Sequence, residues 1–432
     1  MSKSLWLRTF AACWLILPRP AEASVTTPCS KLEPRHVVEA VLRQNASVEA
    51  ARTRTEISTV NAHAGMAGFW PTLSWQGKAT AGYLLHPRRE FSSPSAESCV
   101  QLYWNVSNLL RHRPTYKRLA GAVRVATCEQ QKTVDEQIGL ALTTYYDLVL
   151  AQLHHRILKK GLQRLQKAVA IQETKEQLGS GVALDTIAVK ARCRKLEEDI
   201  LGQQERIEKT RHVLCRLMGE PFSKDFSTPE DIPVDPSSLV VESLPSAESA
   251  VSYRLVQTQY DQACLELQQK KWNQWPDVGL WAQYSLNGSR NGGSWSNDTG
   301  KLTYGISLSA NLFNAWVDTT AVREAQLRAR NARLALEAQR LETGSRIQQQ
   351  WAHHTYQLQH YAMMQQHLED TQKQLDAAWA QYDLGTIDLL TLHKAQQAAD
   401  ETAMKYAQVC RNMHVADVAL RQTLGTLEGA FA

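Results

Sequence analysis

The sequence predicts an α plus membrane-β fold in which one unit, two strands followed by a long helix, a glycine turn and a return helix, occurs twice in 432 residues. Three observations predict it. Short segments alternate apolar and polar residues with period two, two proline-free stretches repeat apolar residues at threes and fours, and the two halves carry matching punctuation.

The strand segments lie near 70–84, 99–108, 275–287 and 301–313. In PTLSWQGKATAGY, Leu73, Trp75, Ala79, Ala81 and Tyr83 alternate with Thr72, Ser74, Gln76, Lys78 and Thr80. VQLYWNVS sets Val100, Leu102, Trp104 and Val106 against Gln101, Asn105 and Ser107. VGLWAQYSL and KLTYGISLSANLF repeat the pattern in Val278, Leu280, Ala282, Tyr284 and Leu286, and in Leu302, Tyr304, Ile306, Leu308, Ala310 and Leu312. Alternation over about 10 residues is the pattern of a membrane-barrel strand, and ordinary strands average only about 5 to 6. Tyr83, Trp104, Tyr284 and Leu308 are then expected to face lipid. LLHPRREFSSPSAES and NGSRNGGSWSNDTG read as polar loops joining each pair. Four strands cannot close a barrel, so entry into a membrane requires several copies of the chain.

The long helices are predicted over 114–178 and 318–384, about 65 residues or ~100 Å each, and the return helices over 184–218 and 388–424. The turns between them, LGSGVALDTIAVKAR and LGTIDLLTLHKAQ, place Gly181 and Gly385 ten residues before Ala191 and Ala395, each of which follows a lysine. In the second turn Asp388, Thr391 and Lys394 follow one another in steps of about 60° on a helix, an arc of about 120°, and can share one face. WPTLSW aligns with WPDVGL at an offset of 205, LYWNVSN with LSANLFN at 206, and the glycine turns at 204. The first repeat therefore spans 24–219 and the second 246–432, each opening with a shorter helix, around a linker at 220–245 marked by Pro221, Pro229, Pro233, Pro236 and Pro245.

Residues 1–23 have the order of an export signal: Lys3 and Arg8, the apolar run FAACWLIL, then the small-residue pattern AEA. Net charge is +5 for the whole chain, about +3 without the signal, and both signs are interspersed, which excludes a nucleic-acid partner. Of eight cysteines one lies in the signal and seven are scattered; Cys193 and Cys215 sit about 33 Å apart along one helix and cannot bond within it. No CxxC or ligand-spaced histidine group points to a metal, and His353, His360 and His367 stand ~10 Å apart on one helical face. Cys29, in TTPC, lacks the small residue of a lipidation motif. No catalytic or phosphate-binding motif is present, so neither an enzyme nor a cofactor is expected.

In the order of these segments, with the PTLS strand pair and the duplication, the chain resembles the TolC family of outer-membrane efflux and secretion channels. The resemblance covers nearly everything after the signal. It implies a homotrimer with a 12-stranded barrel, four strands per chain, set in outer-membrane lipid and continued by a helical tunnel across the periplasm. It implies docking on a periplasmic adaptor and an inner-membrane pump, with Gly181, Val182, Gly385 and Thr386 at the tip contact. Tyr382, Asp388, Thr391 and Lys394 match the face that lines the periplasmic aperture in such channels; the position that would offer Tyr382 a carboxylate is Ile187 here, with Asp185, two residues earlier, as its substitute. Acidic rings typical of the family are replaced here by Thr391 and Lys394. The alternative reading of the same segments is a secreted coiled-coil scaffold with a small soluble sheet.

Overall fold

The computed structural model describes residues 32–84, 90–177, 183–222, 229, 232, 246–291, 294–310, 313–384, 386–427 and 429. The signal segment 1–23, Cys29, Gly181, Val182, Gly385 and most of the linker lie outside the described residues, as do the side chains of Tyr83 and Asp185. The elements run α1 (Pro34–Gln44), α2 (Ala46–Ala64), β1 (Thr72–Leu84), β2 (Glu90–Asn105), α3 (Asn108–Gln177), α4 (Ala183–Met218), α5 (Val251–Trp272), β3 (Asp277–Asn291), β4 (Ser294–Ser309), α6 (Val317–Asp383) and α7 (Leu389–Leu424).

The four strands form one antiparallel sheet in the order β1-β2-β3-β4. Side chains directly opposite one another in a ladder share a face, and the register puts the apolar series of all four strands together. Leu73 pairs with Leu102, Leu102 with Ala282 and Ala282 with Tyr304; Trp75 pairs with Val100, Val100 with Tyr284 and Tyr284 with Leu302. Trp104, Leu280 and Ile306 make a third row, and Val278 with Leu308 a fourth. The opposite face carries Ser74, Gln101, Gln283 and Thr303 in one row and Gln76, Cys99, Ser285 and Lys301 in the next.

The strands depart from the expected limits at their outer ends. Segments expected to be loops are strand: β2 starts at Glu90, nine residues earlier than predicted, and β3 and β4 run to Asn291 and from Ser294. Backbone pairing does not depend on side-chain type, so Ser, Asn and Gly continue a ladder that apolar residues began. At 13 to 16 residues each the strands exceed the about 9–11 that cross a bilayer, and their polar ends are the surplus. Pro94, which cannot donate to a ladder, sits at the shift where Thr80 pairs with Ser95 and Gly82 with Ser92, outside the β3 pairing that begins at Ser95.

Helix α3 is 70 residues long and α6 is 67, about 100 Å each. α3 begins six residues before the predicted start and carries Pro114 inside it. Each long helix is flanked twice, by a short helix on the sheet side (α2, α5) and by the return helix beyond (α4, α7). A compact core, which the helix lengths alone did not suggest, gathers at mid-length. There Val37, Val38 and Val41 of α1 meet Ile138, Leu142 and Tyr145 of α3, Leu214 and Leu217 of α4, and Val418 of α7. The Tyr145 hydroxyl donates to the Leu32 carbonyl at 2.8 Å, and Asn45 caps α2 while its amide donates to the Leu217 carbonyl.

Both return helices end in the same way. Gly219 (φ 70°) and Gly425 (φ 71°) are left-handed; the next N–H reaches back to Cys215 in one case and Arg421 in the other. This is a Schellman ending, repeated at an offset of 206. A Cβ at Gly219 would lie 2.7 Å from the Gln44 carbonyl oxygen, and one at Gly425 2.3 Å from Val251. Gly219→Ala and Gly425→Ala should each cost at least about 1–2 kcal/mol from backbone strain alone, lowering the urea midpoint. An unchanged midpoint for both would contradict this account of the two endings.

Candidate functional site

At the tip of the second hairpin, α6 runs through Trp379 and Tyr382, whose rings meet edge to face at 6.4 Å. The chain then turns through Leu384, with the Thr386 N–H and hydroxyl both donating to the Gln381 carbonyl. Asp388 is the N-cap of α7: its Oδ1 accepts from the Thr391 N–H at 3.1 Å and from the Thr391 hydroxyl. A short acceptor placed three residues before a free helical N–H satisfies one of the four donors that a helix start leaves open. Two of the three aligned polar residues therefore build the turn, and Lys394 stands exposed one turn on. This capping role was missed in the sequence, although an Asp just ahead of an apolar helical run is a favoured N-cap.

The first hairpin solves the same problem with cross-links between its limbs. The buried Thr186 of α4 donates to Glu176 of α3 at 2.7 Å, and Lys190 pairs with Glu173 at 2.7 Å. At the offset of 204, Glu173 and Glu176 correspond to Ala377 and Ala380, Thr186 to Leu390, and Lys190 to Lys394. The second hairpin thus carries the lysine without its carboxylate. Glu173, Glu176 and Thr186 escaped the sequence reading; a position-by-position comparison of the two copies would have found them. Asp185 lies in the first turn of α4, and whether it approaches Tyr382 falls outside the described side chains.

Above the tips, α3, α4 and α7 bound a cleft of about 450 Å³ lined by Arg164, Arg192, Lys195, His393, Asp400 and Glu401 among others. Arg164 pairs with Asp400 at 2.5 Å, while burial raises the Asp400 carboxyl. Burial holds the His393 imidazole below its usual value, and its Nδ1 contacts Gln396 Oε1 at 3.1 Å.

Residues 254–426 match the model of the family described as outer membrane efflux protein. The match covers nearly all of the second repeat, and the whole chain shares its fold with the solved outer-membrane channels that follow. Among solved structures, CusC superposes with a TM-score of 0.80 at 15% identity, covering 92% of both chains. The outer-membrane protein VceC of Vibrio cholerae gives 0.76 at 15%, over 91% of this chain and 96% of that one. The open state of the Neisseria gonorrhoeae MtrE outer-membrane channel gives 0.77 at 15%, over 91% and 88%. No curated protein matches in sequence. The matched domain contains the Asp388 cap and Lys394.

The Asp388 carboxyl is held below the usual carboxylate range, first by the hydrogen bonds from Thr391 and then by the Lys394 charge. Its contribution is present above the unfolded value of about 3.9 and is lost as pH falls through the lower folded value. Asp388→Asn should keep amide protection in the first turn of α7 and remove its acid sensitivity, whereas Asp388→Ala should lose the protection at neutral pH. Hydrogen exchange over residues 389–392 reads both; equal protection in Asp388→Ala and wild type would refute the cap.

Proposed function

We propose that three copies of this chain close a twelve-stranded barrel in the outer membrane and continue it across the periplasm as an exit duct for efflux or type I secretion. The observation that carries the proposal is the sheet register, which gathers every apolar series on one face and hydroxyls, amides and paired charges on the other. Leu73, Trp75, Leu302, Tyr304, Ile306 and Leu308 are all well exposed in a single chain, and a face of that size and composition suits lipid rather than water. Trp70, Trp275, Phe313 and Trp316, also exposed, stand where strands meet helices, the level at which aromatic rings anchor to a membrane interface.

Closure follows from chain direction. β1 and β4 are the sheet edges, and with four strands they run opposite ways, so β4 of one copy can pair antiparallel with β1 of the next. The same two edges continue into the helices. On α6, Leu327, Leu334 and Leu341 repeat at sevens and are exposed, on the side away from the buried Ala325 and Ala329; on α2, Ile57 and Val60 are exposed. A heptad stripe of this kind is a coiled-coil seam awaiting its partner. At the far end, Gly181, Val182, Gly385 and Thr386 form the contact for a periplasmic adaptor bridging to an inner-membrane pump. Tyr382, Asp388, Thr391 and Lys394, with Asp185, surround the aperture.

Threefold symmetry makes Lys394 a ring of three positive charges, free of the carboxylate that Lys190 has, beside a ring of Asp388. Like charges around a narrow aqueous neck set ion preference. The purified protein in planar bilayers should carry current with weak cation preference, and Lys394→Asp should make it strongly cation-selective by reversal potential across a salt gradient. Absence of any current would contradict the duct; strong cation selectivity that Lys394→Asp leaves unchanged would remove Lys394 from the lumen.

A further inference from the structure

The polar face of the sheet is not uniformly polar. Thr72, Tyr103, Trp281 and Gly305 make one row across all four strands, so two aromatic side chains stand side by side among hydroxyls and amides. Each lies over a glycine. A Cβ at Gly305 would meet the Trp281 ring edge at 3.2 Å, and a Cβ at Gly279 would meet the Tyr103 hydroxyl at 2.7 Å and its ring at 2.9 Å. A ring packed on a bare Cα comes closer to the backbone than a side chain there would allow. Neither ring is buried, although covering sheet surface from water would serve stability equally well on the lipid side.

We propose that Tyr103 and Trp281 form a stacking platform inside the barrel, just above its junction with the helices, which binds planar aromatic molecules in transit. This rests on the barrel reading, which turns the polar face inward and places three such platforms around one lumen. An aromatic ring offers a π-face to any planar partner, and stacking tolerates differences in substituents, which suits transient contact better than fixed hydrogen bonds would. Gly279 and Gly305 are the positioning residues: a side chain at either would meet the ring.

The test is block of ion current through purified trimers by 9-aminoacridine, a planar aromatic cation, added on the barrel side, with tetraethylammonium as a non-planar cation of equal charge. The acridine should block at lower concentration than tetraethylammonium. Trp281→Ala and Tyr103→Ala should each weaken acridine block about fivefold and leave tetraethylammonium block unchanged, whereas Trp281→Phe should stay within about twofold of wild type. Gly305→Ala, which keeps the ring but tilts it, should weaken acridine block while trimer yield stays normal. Equal block by the two cations, or acridine block indifferent to all four substitutions, would overturn the platform while leaving the channel intact. A wild-type protein that carries no current refutes the barrel, and the platform with it.

Discussion

A four-stranded antiparallel sheet has two rows of backbone N–H and C=O groups with no partner, along β1 and β4, and hydrocarbon can satisfy neither. Water can, but one face here is rich in Trp, Tyr, Leu and Ile over four consecutive rows, which water penalises at roughly 25 cal/mol per Å² left exposed. One arrangement answers both demands: the edges pair with other copies and the apolar face meets lipid. The helices obey the same constraint, because the chain leaves β4 directly into α6 and enters β1 directly from α2. Whatever closes the sheet must bring those two helices together.

In the proposed duct, the duplication makes the wall continuous. Each repeat supplies two strands, one helix long enough to run the full height, a short helix beside its upper part and a return helix beside its lower part. At mid-length, where short and return helices change over, a wall two helices wide would otherwise have a gap. The Schellman endings at Gly219 and Gly425 sit there, pressed against Gln44 at the junction of α1 and α2 and against Val251 at the start of α5, and the α1 core fills the rest. The two copies then diverge at the tips. Limbs α3 and α4 are tied by Glu173–Lys190 and Glu176–Thr186, whereas the corresponding second-repeat positions are Ala377, Ala380, Leu390 and Lys394.

Much of this was legible in the sequence because it depends on period. Period two identified the strands and which of their residues share a face, and the threes and fours identified the helices, since each pattern records which side is covered. What depends on a single local geometry was not legible. The strand ends at Glu90 and Asn291 are set by backbone pairing, to which Ser and Gly are indifferent. The N-cap role of Asp388 was not legible from its spacing to Thr391 and Lys394, because it rests on one local contact, the hydrogen bond that the Thr391 N–H donates to its carboxylate. The pairing of Tyr103 with Trp281 required knowing the β2–β3 register, which no single strand contains.

The central claim is that this chain completes its sheet only with copies of itself, in lipid. Native mass spectrometry of the processed protein, after membrane fractionation, tests it most directly. The account predicts that the protein leaves the membrane only in detergent and flies as an assembly of three chains. A monomer recovered in detergent-free buffer, folded and with its sheet intact, would contradict it.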